Sequence, residues 1–156
     1  MNSIRAAMHQ TRFASEPHLM IFVDGAPLCE LLEKVAPDLQ PAGLVPAWLG
    51  WMTDDREQAV AWERMVPPIS GKVRVPILVC PDDLDFSCSL VIADLEAVPD
   101  RILWSRIGLD ATKSSDPAQV GEEVRWFEGM PVLAFKRDEY EACVKAFQDD
   151  ASGLRG

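Results

Sequence analysis

Val75-Pro76-Ile77-Leu78-Val79-Cys80 is followed by Cys88-Ser89-Leu90-Val91-Ile92-Ala93-Asp94-Leu95-Glu96-Ala97-Val98, and then by Arg101-Ile102-Leu103-Trp104-Ser105-Arg106-Ile107-Gly108-Leu109. Short apolar runs rich in β-branched residues and bounded by turn formers read as strands. Between the second and third runs, Val98-Pro99-Asp100-Arg101 places proline and aspartate where a tight turn needs them, so these two runs are predicted to form a hairpin. Sequential antiparallel strands are therefore the expected centre of the fold.

Reading outward toward the C-terminus, a polar link at 111–121 leads to another predicted strand pair, Val124 to Phe127 and Val132 to Phe135. Tyr140, Cys143, Val144 and Phe147 then recur at i, i+3, i+4 and i+7, and Asp138 with Glu141 resembles a capping box, so a docked helix is predicted there. Residues 149–156 read as a frayed tail.

Reading outward toward the N-terminus, Thr53 offers a hydroxyl cap for a helix running to about Met65, with Asp54 and Asp55 in its first turn, Ala59, Trp62 and Val66 on one face, and Pro67-Pro68 as the stop. The stretch from Gln40 to Trp51, with two prolines and two glycines among Leu44, Val45, Trp48, Leu49 and Trp51, reads as a buried irregular connection or a short helix. Leu28, Leu31, Leu32 and Val35 make a helical stripe between Pro27 and Pro37, and Leu19 to Val23 is a buried strand ending at an Asp24-Gly25 turn. Residues 1–17 show no clean period and are expected to be a flexible arm. The fold class expected is α+β, a mainly antiparallel sheet of about five to six strands with two or three helices on it. One domain over 18–148 accounts for the pattern.

The chain has 156 residues, long enough for a single core that hides about two-thirds of the surface of the unfolded chain. Fifteen Lys and Arg against 25 Asp and Glu give a formal charge of -10. Such a field repels phosphate backbones and anionic lipid, so neither nucleic acid nor a membrane is an expected partner, whereas a basic protein would be attracted. No signal-peptide pattern or apolar span of about 20 residues occurs, so a cytoplasmic location is expected. Cys29, Cys80, Cys88 and Cys143 are then expected to be reduced thiols.

The most distinctive segment is Cys80-Pro81-Asp82-Asp83-Leu84-Asp85-Phe86-Ser87-Cys88, a carboxylate-rich loop between two thiols. Counted from Asp83, positions six and twelve of a calcium loop hold Cys88 and Asp94 instead of glycine and glutamate. Zinc would need four nitrogen or sulfur ligands, and the two histidines, His9 and His18, lie in or beside the arm. A redox pair of Cys80 and Cys88 would need a low thiolate pKa, which neighbouring carboxylates oppose; the plainer reading makes both small apolar residues at strand ends. No nucleophile elbow, phosphate loop or dinucleotide-binding glycine pattern is present. No catalytic residue, metal or cofactor is therefore expected, with convergence of Asp82, Asp83, Asp85 and Asp110 as the alternative route to carboxylate chemistry or a metal-dependent enzyme. Among five tryptophans, Trp104 and Trp126 stand in β segments with polar neighbours, where an exposed face would make them binding anchors.

Trp48-Leu49-Gly50-Trp51, the Cys80 to Cys88 segment, Gly108-Leu109-Asp110 and Phe135-Lys136-Arg137-Asp138-Glu139-Tyr140 together resemble a family of small bacterial proteins with no assigned chemistry. In size, acidity and α+β layout the chain is also similar to the immunity proteins that bacteria make beside toxins. That resemblance implies a non-catalytic cytoplasmic inhibitor occluding a cognate, basic toxin domain, with Asp82, Asp83, Asp85, Phe86, Trp104, Asp110 and Trp126 as partner-binding residues. A self-associating scaffold subunit, such as a homodimer, is the further alternative.

Overall fold

A computed structural model describes every residue except Phe13, Cys88 and Gly156, with the side chains of residues 154–155 also outside the description. The architecture is α+β, with two antiparallel sheets and three helices. The larger sheet is built on the three apolar runs between Val75 and Leu109, which become β5 (Gly71–Val79), β6 (Leu90–Val98) and β7 (Arg101–Asp110). Val98 pairs with Arg101 across the expected turn. From Leu90 to Leu95 every residue of β6 is buried, as expected of a central strand covered on both faces.

The strand pair expected at the C-terminal side forms otherwise. Here β8 (Val124–Trp126) and β9 (Leu133–Lys136) both pair with β7, β8 with Gly108 to Asp110 and β9 with Arg101 to Trp104. Two segments antiparallel to the same strand run in the same direction, so they cannot be a hairpin with each other. Gly108 marks the place where this packing is tightest, since a Cβ there would lie 2.4 Å from the Arg125 carbonyl oxygen and 2.7 Å from the Trp126 Cα.

The first residues are no loose arm. Strand β1 (Ile4–His9) pairs antiparallel with β2 (His18–Val23), from Ile4 opposite Val23 to His9 opposite His18. Ala6 and Ala7 give only a weak apolar rhythm, and a pairing partner 9 to 19 residues away supplies what the local pattern lacks. Asp24 and Gly25, at φ 52° and 83°, form the turn into the short β3 (Ala26–Pro27), and two consecutive positive φ values suit a two-residue hairpin. Asn2 joins the two sheets: its backbone and side chain bond both the N–H and the C=O of Ala134, and its amide donates to Asp24 at 2.7 Å.

Helix α1 (Leu28–Val35) buries Leu28, Cys29 and Leu32 and ends before Pro37 as expected. Residues 43–49 are all buried, and the stretch from Gln40 to Trp51 combines the two readings: a short 3-10 turn at Pro41–Gly43 and the two-residue strand β4 (Val45–Pro46) within an otherwise irregular connection. Buried irregular backbone must find polar partners. The side chain of Gln58 provides two of them, accepting from Met52 N–H at 3.1 Å and donating to the Ala47 carbonyl at 3.0 Å. Three carbonyls along the outer edge of β5 are satisfied by groups that are not strand partners: Arg74 by the Arg64 guanidinium, Pro76 by the Trp48 indole N–H at 2.7 Å, and Ile77 by Ala47 N–H. This cover closes an edge that would otherwise invite pairing.

Helix α2 (Asp55–Met65) is capped by Asp54, which accepts from Arg56 and Glu57 N–H, in place of Thr53. Its buried face is Gln58, Ala61 and Met65, whereas Ala59 and Val66 are exposed and Trp62 is half-buried. Helix α3 (Arg137–Arg155) starts one residue before Asp138, and Glu141 pairs with Arg137 at 3.2 Å instead of closing a capping box. It carries on through the expected tail, with Ala151 buried.

Replacing Gln58 by Leu leaves a buried N–H and a buried C=O unpaired, so chemical denaturation should show a loss of about 2–4 kcal/mol. Gly108→Ala should cost about 3 kcal/mol or more, because the obstructing atoms are backbone and cannot turn aside.

Candidate functional site

The Pro81 to Ser87 turn leaves β5 and reaches β6 as a ridge of carboxylates whose shape is set from below. Leu84 N–H donates to the Cys80 carbonyl at 2.9 Å, and the Leu84 carbonyl accepts from Thr53 N–H at 3.0 Å. Leu84 is held at φ 51°, a left-handed conformation that a leucine adopts at a cost of about 1–2 kcal/mol. Phe86 N–H donates to Glu57 at 3.1 Å, fastening the turn to the first turn of α2. Asp85 accepts from both the amide and the hydroxyl of Ser87, at 3.0 and 2.6 Å. Asp82 and Asp83 are exposed, and among the described residues neither they nor Asp85 forms an ion pair with Lys or Arg.

A cleft lies on each side of the ridge. One, of about 340 Å³, is lined on its acidic side by Glu57, Asp110 and Asp116 together with Phe86, Ser87 and Thr112. There Asp110 is half-buried, and its Oδ1 accepts from the Thr112 hydroxyl at 2.7 Å and from Gly121 N–H at 3.0 Å. The other cleft is lined by Asp82, Pro81 and Leu84 together with Trp51 and the residues Ala14, Ser15 and Glu16 of the β1–β2 connection. Five of the seven residues expected to bind a partner, Asp82, Asp83, Asp85, Phe86 and Asp110, thus share one end of the large sheet.

The two tryptophans do not join them. Trp104 is fully buried against Phe135 and Tyr140, with ring centroids 5.2 and 6.0 Å away, so it is a core residue and not the expected surface anchor. Trp126 is half-buried on the sheet, with the guanidinium carbons of Arg106 and Arg74 at 4.1 and 5.1 Å from its ring centroid. Those two arginines converge on Asp94, which is only 9% exposed and accepts from Arg106 Nη2 at 2.7 Å and Nε at 3.1 Å.

Sequence reasoning missed Glu57, Trp51, Glu16 and Asp116 as neighbours of the ridge. For Glu57 a signal existed: Asp54 and Glu57 have the N-cap to N3 spacing of a capping box. In the fold Asp54 does cap the helix, but Glu57 turns to Phe86. Burial raises the Glu57 pKa above the ordinary glutamate value, and the charges of Asp54 and Asp85 push the same way against the Phe86 hydrogen bond. Among the described residues no three His, Cys, Asp or Glu side chains converge as a metal-holding group. The Cys80 and Cys88 pairing lies outside the described residues, since Cys88 is one of those left out. Cys29 and Cys143 are buried, with thiol pKa values pushed up to about 11 and about 12, so neither is a ready nucleophile. Among the described residues no helix is long and apolar enough to cross a membrane. Comparison with family models, with curated proteins and with solved structures found no match.

Because folding raises the Glu57 pKa, its ionised form opposes folding above that pKa and the opposition is relieved as pH falls through it. Glu57→Gln keeps an acceptor for Phe86 N–H and removes the charge. Its urea midpoint should exceed that of the parent at pH 7, with the difference shrinking toward zero near about pH 4.

Proposed function

We propose that the chain is a non-catalytic protein-binding domain of the bacterial cytoplasm, an immunity-type inhibitor that occludes the active site of a cognate basic toxin domain. The observation that carries this reading is the ridge itself: Asp82 and Asp83 stand exposed, among the described residues without an ion-pair partner, on a turn held at Leu84 and Phe86. A binding surface fixed before contact loses little conformational freedom on association. Uncompensated carboxylates also favour rapid, oriented encounter with a cationic surface. Phe86 and Asp110 flank one cleft and Trp51 the other, supplying apolar and polar rims within reach of the same partner surface. Such an inhibitor needs no catalytic group of its own.

Affinity purification from the native host should recover a stoichiometric basic toxin domain. Replacing Asp82, Asp83 and Asp85 together by Asn should weaken that complex at least about tenfold, about 1.4 kcal/mol, mainly through a slower association rate at low salt. The variant should keep the parent's thermal midpoint, since among the described residues Asp85 alone of the three makes side-chain hydrogen bonds and Asn retains an acceptor for Ser87. Unchanged affinity in a folded triple variant removes the ridge as the binding site, and failure to recover any toxin domain removes the inhibitor reading.

A further inference from the structure

His18 opens β2, is 3% exposed, and has both ring nitrogens committed. Nδ1 lies 2.8 Å from the Leu19 carbonyl oxygen, which can only accept, so the proton of the neutral ring sits on Nδ1. Nε2 is then an acceptor. Thr11 supplies the donors, with its backbone N–H at 3.4 Å and its hydroxyl at 3.3 Å, and Thr11 is itself 2% exposed. The edge of the same imidazole meets Trp51 at a centroid distance of 5.5 Å. Beyond Thr11, the connection is tied down by Arg12 N–H to the Ala42 carbonyl at 3.3 Å. Trp51, Ala14, Ser15 and Glu16 line the same cleft as Asp82.

We propose that His18 is an acid-sensitive latch: protonation of its Nε2 breaks the bond from the Thr11 amide, frees the β1–β2 connection at Thr11, and opens the cleft beside Asp82. The protonated ring presents an N–H where the Thr11 amide also presents one, and two donors repel. The Thr11 hydroxyl can rotate to accept, but the amide cannot, so the backbone must withdraw. Two titratable groups act on the ring from its neighbours: His9 on β1, paired with His18 across the strands at a ring distance of 6.5 Å, and Glu16 in the connection. His9 opposes the second positive charge and Glu16 favours it, while burial, the largest influence, opposes it. With the folded pKa below the ordinary histidine value of 6.5, the latch is fully fastened above that value and loosens as pH falls through the folded pKa. The inference stands on the hydrogen bonding of His18 and holds whether or not the ridge binds a toxin.

Hydrogen–deuterium exchange of the intact protein at pH 7.5 and pH 5.5, corrected for intrinsic rates, tests it above the range where ordinary carboxylates titrate. The amides of Thr11, Arg12 and Ala14, each hydrogen-bonded, should lose up to about tenfold of their protection at pH 5.5, while β6 keeps its own. His18→Gln, which retains an acceptor that does not titrate, should hold these amides protected at both pH values. His18→Phe, which has no acceptor, should leave them equally unprotected at both, so the two variants separate latch from general unfolding. His9→Gln should retain the pH response. Unchanged protection of these amides in the parent overturns the proposal, as does a response that survives in His18→Gln or disappears in His9→Gln.

Discussion

The aromatic contact of Trp48, Trp104 and Tyr140 is the constraint on which the rest of the structure depends. Trp48 comes from the irregular connection, Trp104 from β7 and Tyr140 from α3, and the Tyr140 ring lies 6.3 Å from one indole and 6.0 Å from the other. Phe147 and Phe135 extend the group to 5.4 Å from Trp48 and 5.2 Å from Trp104, all close to edge-on. Edge-to-face pairs each contribute about 0.5–1.5 kcal/mol beyond simple burial. The Trp104 indole N–H and the Tyr140 hydroxyl are enclosed without a hydrogen bond of good geometry, a cost the surrounding apolar contact has to exceed. Trp48 escapes that cost, because its own N–H reaches the Pro76 carbonyl and its carbonyl accepts from Trp62 at 3.1 Å.

Anchoring Trp48 in the core also constrains the residues just after it in the chain. Trp51 is three residues on, Thr53 five and Asp54 six, so the docked indole sets where α2 begins and hence where Thr53 and Glu57 meet the acidic turn. The ridge is therefore held by the core through a short chain of backbone, with a strained Leu84 kept in place by bonds on both sides. Positive-φ strain at a non-glycine residue persists only where neighbours over-determine the backbone. That makes the turn stiff despite its polar sequence.

Features encoded within a few residues were legible in the sequence. The Val98 to Arg101 hairpin, the Asp24-Gly25 turn and the Tyr140, Cys143, Val144, Phe147 stripe all arise from local chemistry, and all are present. Features decided by long-range pairing were not. Trp104 illustrates why: Asp94 pairs with Arg106 and Leu95 with Trp104, leaving Ser105 as an extra residue on β7. This bulge resets the alternation, so that Trp104 and Ile107 both face the core while Arg106 turns out to Asp94. No count of alternating residues along β7 reveals a bulge whose position depends on β6. The same holds for α2, whose face is chosen by the buried backbone groups that Gln58 satisfies; a polar residue on the inner side misleads any reading based on hydropathy. At the candidate site, carboxylates adjacent in sequence were foreseeable as one cluster, whereas Glu57, Glu16 and Trp51 arrive from other elements.

The acidic residues of this chain do two different jobs, and their surroundings separate them. Asp94 is nearly buried, so its charge is tolerable only because Arg106 and Arg74 converge on it, and those arginines in turn lie over Trp126. Asp24 ties Asn2 and Ser3 together at the junction of the sheets, and those hydrogen bonds hold its pKa below the ordinary value. Such carboxylates are neutralised or bonded and project little field. Asp82 and Asp83 are different: both are solvated, adjacent in the chain and, among the described residues, without an ion-pair partner. At physiological ionic strength charges beyond about 8 Å are screened. A partner approaching the surface therefore responds to this local ridge more than to the formal charge of -10. A cationic surface meeting the ridge supplies the counter-charge that, among the described residues, the fold does not, and that is the physical reason to seek the binding face at the Asp82 end of the sheet.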